Sequence, residues 1–178
     1  LTAGTEATWT NIDVTNTAGV DLTIASGGAV NVLGGSGADR VVMDTVADVT
    51  AADVLNGGDG KDTLAISAVV GTDFTAAQRA VISNLETLEY VGTHTLTGAV
   101  AIDVTKIANM NNIYFNGATT VDDAATNTYT LTASVDSGSR IEFNGANANT
   151  ATGNTATTGT VFTVTGAANA GTTDEVTV

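Results

Sequence analysis

Two short stretches of this chain combine glycines and an aspartate at the same spacing. Residues 34–41 read GGSGADRV and residues 57–64 read GGDGKDTL, so both fit G-G-x-G-x-D-x-U, in which U is a large aliphatic residue. Glycines adopt backbone angles that are closed to other residues, which allows a loop to turn carbonyl oxygens toward one point. The aspartate adds a carboxylate oxygen, and Ca²⁺ prefers a flexible cage of about six to eight oxygens. The pattern therefore predicts a pair of calcium-binding loops.

The charge of the chain limits its partners. Its 178 residues include 5 basic and 19 acidic side chains, which give a net charge of −14. This balance argues against binding to nucleic acid, whose phosphates would be repelled, and against anionic membrane surfaces. It is compatible with hard cations, which take oxygen ligands. The absence of cysteine excludes disulfides, Cys-ligated zinc and thiol chemistry, and it suits a secreted protein.

The start of the given sequence does not resemble a signal peptide. The chain begins at Leu1 without an initiator methionine, and it has neither a signal peptide nor an apolar run long enough to span a membrane. We therefore expect it to be an excised piece of a longer protein, with no membrane insertion of its own.

Other polar residues are weaker candidates for chemistry. His94 is the only histidine, and the sequence around it lacks the partners that a catalytic triad needs. Glu86 and Glu89 could form a glycosidase pair, but aromatic platforms for sugars are scarce. Asp122–Asp123 and Asp136 are interpreted as solvated loop residues. Because the 5 basic residues are spread along the chain, a charged substrate groove is not predicted, and we expect no enzymatic activity.

Short apolar alternations recur at intervals of about ten residues. The first four are Ile12 and Val14, Leu22 and Ile24, Val30 and Val32, and Val41 and Met43. A β-sandwich usually has longer strands joined by hairpin turns, whereas three-residue strands at this period are typical of a parallel solenoid. The sequence therefore predicts an all-β fold, a right-handed parallel β-solenoid of the β-roll or β-helix type. Spacing is looser in the C-terminal half, which is expected to be either irregular or sandwich-like.

Two stretches interrupt this pattern. Thr75 and Gln78 form a capping-box signature, which predicts a short helix of about two turns near residues 75–84. Residues 144–160 have low complexity and no apolar periodicity, which predicts a long surface loop. We divide the chain into residues 1–92, a solenoid with the two glycine–aspartate loops, and residues 93–178, which continue the solenoid or form another β-rich domain.

Through the two motifs the sequence resembles the calcium-binding RTX proteins, and its wider layout resembles calcium-dependent bacterial surface-layer (S-layer) proteins. In the latter, two glycine–aspartate loops precede an I-x-x-x-E-T-L segment, which corresponds here to Ile82–Leu88. The composition, rich in Thr, Ala, Val and Gly and free of proline, also matches. The resemblance covers residues 30–92 by motif and the rest of the chain by composition.

The resemblance implies a Ca²⁺ site made of side chains and carbonyl groups from both loops. The implied ligands are the carboxylates of Asp39 and Asp62 and the carbonyl oxygens of Gly35, Gly37, Gly58 and Gly60. It also implies a secreted, extracellular structural protein that assembles with copies of itself at the cell surface. Contacts to cell-surface polysaccharide would come from parts of the parent chain outside this sequence. The alternative is a calcium-binding module of a secreted RTX-type adhesin or polysaccharide-modifying enzyme.

The spacing of the two loops leaves the number of ions open. Tandem RTX loops on one side of a roll are about eighteen residues apart and share a calcium, whereas these loops are 23 residues apart. If Thr45–Val54 contains an excursion of about five residues, the loops can still stack and share one ion. Otherwise each loop needs further ligands, for which Asp44, Asp53 and Asp59 are the nearest candidates.

Overall fold

Short parallel strands that stack as coils dominate the part of the protein that the structure describes. The computed structural model describes residues 11–15, 17–24, 28–67, 73–92, 94–96, 100–117, 119–122, 128–134, 141–144, 151–152 and 161–167. These residues form a β-solenoid, and every strand pair among them is parallel. The predicted parallel β-solenoid is therefore confirmed.

Two sheets form the faces of the N-terminal coils. The shorter sheet has the order β1 (Asn11–Asp13), β3 (Asn31–Leu33), β5 (Val54–Asn56) and β7 (Ile82–Ser83). The longer sheet has the order β2 (Asp21–Ile24), β4 (Arg40–Met43), β6 (Thr63–Ile66), β8 (Thr87–Val91), β11 (Asn112–Asn116) and β14 (Ile141–Asn144). Because strands alternate between the two sheets along the chain, each coil contributes one strand to each face.

The cross-section changes from two strands per coil to three after β8. One additional sheet contains β9 (His94–Leu96), β12 (Thr119–Asp122) and β15 (Ala151–Thr152). The other contains β10 (Val100–Asp103), β13 (Thr128–Ser134) and β16 (Val161–Ala167). The longer sheet runs through this change, since β11 pairs with both β8 and β14. The looser spacing in the C-terminal half therefore reflects a third face on each coil rather than loss of the parallel stack.

Aliphatic side chains of the longer sheet stack above one another in the core. Strand register aligns five buried residues on successive coils, namely Leu22, Val41, Leu64, Leu88 and Ile113. The neighbouring row includes Tyr90 and Phe115, whose rings stack with centroids 5.3 Å apart. Each coil thus buries its apolar side chains mainly against the coils next to it, as expected for a solenoid.

The predicted helix is present, although it is shorter than expected. It spans Ala76–Arg79 (α1), and Thr75 and Gln78 form the capping box. Because Ile82 is buried and pairs with Leu55, the chain has already returned to the sheet by β7. The Gln78 side chain also donates hydrogen bonds to two carbonyl groups of the segment between β4 and β5, so α1 braces the side of the solenoid.

Some predictions fall on residues outside the described ranges. Asp123, Asp136 and most of the predicted loop at residues 144–160 lie there. Within that predicted loop, Ala151–Thr152 form the short strand β15.

Candidate metal centre

The two glycine–aspartate loops stack directly on each other. The two loops lead into neighbouring strands of the longer sheet, β4 and β6, and Arg40 of β4 pairs with Thr63 of β6, so the loops superpose residue by residue. The amide of Asp59 donates a 2.9 Å hydrogen bond to the Gly35 carbonyl. Gly58 has φ +90°, and a Cβ atom there would collide with the same carbonyl. Only glycine fits this stacking, because a side chain would meet the backbone of the loop below.

An excursion between β4 and β5 absorbs the additional residues between the loops. Val46–Asp48 form a 3₁₀ turn, capped by Thr45 and Asp48. At the end of the excursion, just before β5, Asp53 is buried and accepts hydrogen bonds from the amides of Val30 and Thr50, at 2.9 and 2.6 Å. The chain thereby re-enters the shorter sheet in register with β3. The longer sequence spacing is therefore compatible with stacked loops.

The three alternative ligands occupy different places. Asp44 follows β4, at the far end of the strand from the loops, and accepts a hydrogen bond from the Ser67 hydroxyl. Asp53 precedes β5 and is bonded at the opposite corner of the coil. Asp59 lies in the second loop and is exposed. Of these three residues, only Asp59 lies beside the stacked glycines.

Three carboxylates on successive coils form a continuous line, which we call the acidic ladder: Asp39, Asp62 and Glu86. Asp39 Oδ1 accepts a hydrogen bond from the Val20 amide at 2.8 Å. Asp62 Oδ1 accepts one from the Asp39 amide at 2.7 Å, and Glu86 Oε2 accepts one from the Asp62 amide at 2.7 Å. Each carboxylate thus binds the backbone of the preceding coil, and the strand register places the three residues one above another.

The second oxygens of Asp39 and Asp62 have different environments. Asp39 Oδ2 accepts a 2.8 Å hydrogen bond from the amide of Gly35 in its own loop. The corresponding amide in the next coil, that of Gly58, instead donates to the Asn56 side chain at 3.0 Å. Asp62 Oδ2 is consequently buried without a hydrogen-bond partner. A carboxylate oxygen in this situation is costly unless a proton or a cation reaches it.

The electrostatics of the acidic ladder favour a cation. Burial raises the pKa of Asp62, and the nearby carboxylates of Glu86, Asp39 and Asp59 raise it further, against the opposing effect of the hydrogen bond from the Asp39 amide. Asp39 and Asp62 are 2% and 0% exposed. Clustered negative charge with little access to water is stabilised by a bound cation.

The donor set fits a hard cation better than a soft one. All seven residues predicted for the site lie in the two stacked loops: Gly35, Gly37, Asp39, Gly58, Asp59, Gly60 and Asp62. They offer carboxylate and carbonyl oxygens, which hard cations such as Ca²⁺ take as ligands. In the described part of the chain, no group of three or more His, Cys, Asp or Glu side chains is arranged to hold a metal. Carbonyl oxygens would therefore have to supply part of the coordination.

Glu86 was not predicted as part of the site. Glu89, which the sequence pairs with it as a glycosidase candidate, lies elsewhere, within β8, where it contacts Arg40 and Asn116. A signal for Glu86 does exist in the sequence, since Asp62-Thr63-Leu64 and Glu86-Thr87-Leu88 have the same pattern of acid, threonine and leucine. Both triplets occupy the same register position on successive coils.

No protein-family model, curated protein or solved structure matches this chain. Among the described residues, no helix is both long enough and apolar enough to cross a membrane.

Proposed function

We propose that this protein is a structural component of a bacterial surface layer, an extracellular β-solenoid that is stabilised by Ca²⁺ and assembles with copies of itself. The observation that carries the proposal is the acidic ladder beside two stacked glycine loops. The resemblance of residues 30–92 to calcium-dependent S-layer proteins supports the surface-layer part of the proposal.

Calcium would act as a folding and assembly switch. The residues suited to hold it are Asp39, Asp59 and Asp62, with the carbonyl groups of the loop glycines. The ion would supply positive charge to carboxylates that repel one another, and it would link coils that bury little surface alone. At a free concentration about tenfold above the dissociation constant, binding contributes about 1.4 kcal/mol per site. Extracellular calcium modules bind in the range of about 10⁻⁴ to 10⁻³ M, so millimolar calcium would fill such a site and cytosolic calcium would not.

The test compares the protein in millimolar calcium and in excess chelator. We expect far-UV circular dichroism to show loss of β-structure after chelation, and electron microscopy of the parent protein to show two-dimensional sheets only with calcium. Asp62→Asn should weaken both responses, whereas Asp13→Asn, a change on the exposed face of β1, should leave them unchanged. An unchanged spectrum after chelation would contradict the calcium switch. Soluble monomers in calcium would contradict the lattice.

A further inference from the structure

The unpartnered oxygen of Asp62 lies on the side of the fourth coil, which has no glycine–aspartate motif. A Cβ atom placed on Gly57 would lie 2.6 Å from Asp62 Oδ2 and would collide with the carbonyl oxygen of Asn84. The carboxylate oxygen and the carbonyl oxygen therefore lie against the same point of the backbone. Because Asp62 Oδ2 has no hydrogen-bond donor there, a cation or a proton beside the two oxygens would offset their negative charge.

Glu86 brings a second carboxylate to the same place. Its Oε2 accepts a hydrogen bond from the amide of Asp62 itself, so the two acidic residues are adjacent across the coils. Glu86 is only partly buried, which leaves this side of the corner open to ions from solvent.

The backbone of Asn84 is fixed in the orientation that presents its carbonyl group. Asn84 has a φ of 48°, a left-handed conformation that Asn adopts more readily than most residues. Its side-chain amide donates to Asn56 at 2.9 Å, and its side-chain oxygen accepts from Asn109 at 2.8 Å. These two hydrogen bonds hold the turn in place, so the carbonyl oxygen is preorganised.

The same juxtaposition occurs one coil earlier, where a Cβ atom on Gly34 would lie 2.8 Å from Asp39 Oδ2 and would collide with the Gly57 carbonyl oxygen. Asn56 explains why Asp62 Oδ2 lacks a hydrogen-bond donor and Asp39 Oδ2 does not. Its side-chain oxygen accepts hydrogen bonds from both the Gly58 amide and the Asn84 side chain. The corresponding residue one coil earlier is Leu33, which has no acceptor, and there the loop amide bonds to Asp39 instead. Because Asn56 accepts the hydrogen bond from the Gly58 amide, Asp62 Oδ2 receives no hydrogen bond from the loop of Asp62.

From these contacts we propose a second cation position, between the third and fourth coils, with Asp62 Oδ2, the Asn84 carbonyl oxygen and the Glu86 carboxylate as ligands. Three oxygen donors that include two carboxylates suit a hard divalent cation such as Ca²⁺. The inference rests on the proposed function in assuming that this corner binds calcium. The second position uses ligands that the first does not. The repeated motif predicts an ion between the two loops and assigns no role to Asn84 or Glu86.

The experiment counts bound calcium on the full chain by equilibrium dialysis, with circular dichroism in calcium as a check of folding. We expect Glu86→Gln to bind one ion per chain fewer than the unsubstituted protein. Asn56→Leu should cause the same loss without removing any carboxylate, because it returns the Gly58 amide to Asp62. The matched control is Asn31→Leu, on the exposed face of β3, which should bind the full number of ions.

The possible outcomes separate the two proposals. If the unsubstituted protein binds no calcium, both proposals fail. If it binds calcium and both Glu86→Gln and Asn56→Leu bind the same number of ions, the second position is wrong while the calcium-stabilised solenoid stands. An infrared band of a protonated carboxyl group at neutral pH in calcium, absent in Asp62→Asn, would assign a proton to Asp62 Oδ2 and would also overturn the second position.

Discussion

At the scale of single residues, the ionisation of Asp62 links the buried corner to the stability of the fold. Burial, followed by the neighbouring carboxylates, raises its pKa from the ordinary value of 3.8. The folded protein therefore holds this proton more tightly than the unfolded chain does. In calcium-free protein, the contribution of Asp62 to the free energy of unfolding should fall as pH rises above about 3.8 through the raised pKa, and then level off.

Urea unfolding in chelator between pH 4 and pH 8 measures this effect. The stability of the unsubstituted protein relative to Asp62→Asn should decrease as pH increases, because the amide cannot ionise. Saturating calcium should remove the decrease, since the cation offsets the charge. Parallel stability profiles for the two proteins in chelator would contradict the prediction.

A second residue-scale prediction concerns the loop glycines. Gly58 and Gly92 both have positive φ, +90° and +95°, but of the two only Gly58 would bring an added Cβ atom against another backbone. Gly92→Ala should cost about 1–2 kcal/mol for the left-handed conformation alone. Gly58→Ala should cost more, because its Cβ atom would also collide with the Gly35 carbonyl and lie 2.6 Å from that of Gly34. Equal losses in urea unfolding would show that the loops are not closely stacked.

At the scale of secondary-structure elements, a side-chain clamp joins strands that are not neighbours. Arg40 of β4 contacts Glu89 of β8 at 2.6 Å, reaching across β6, and Glu89 also accepts a 2.6 Å hydrogen bond from Asn116 of β11. Because Glu89 is only 4% exposed, Arg40→Met would leave a buried charge without its partner and should cost about 3 kcal/mol. Lys106→Met is the control: its ion pair with Asp103 is more exposed, so the loss should stay below about 1 kcal/mol. Thermal unfolding in calcium measures both, and equal losses would contradict the clamp.

The elements also show what the sequence could and could not predict. Alternating apolar residues such as Leu22 and Ile24 predict strands, and their short period predicts parallel coils, because both patterns are local. The acidic ladder is not local: Glu86 becomes its third member only once Thr63 and Thr87 are paired. The fourth coil turns its corner without a glycine motif. Asn84 has positive φ there, as Asn109 has one coil later, and each is followed by a buried residue, Leu85 or Met110. This repeat of 25 residues is visible in the sequence only after the register is known.

At the scale of the whole molecule, the acidic ladder ends where the cross-section changes. The position above Glu86 is occupied by the neutral residue Asn111, whose amide bonds to the Glu86 carbonyl, so the stack continues without a fourth carboxylate. Calcium should therefore stabilise the second to fourth coils directly and the fifth coil only through its contacts with the fourth. In a solenoid such coupling passes between nearest neighbours and weakens with distance.

Hydrogen exchange measured by mass spectrometry can resolve this gradient. On chelation, the strands β4, β6 and β8 should lose protection from exchange together. The loss should be about tenfold for each site at which free calcium had been ten times the dissociation constant. Strand β11 should lose less, although it belongs to the same sheet. Gly58→Ala in calcium should give the same ranking, because it disrupts the same corner without removing a carboxylate. A uniform loss from β4 to β11 would mean instead that the coils unfold as one cooperative unit, and that calcium acts on the whole stack rather than on the coils that carry the ladder.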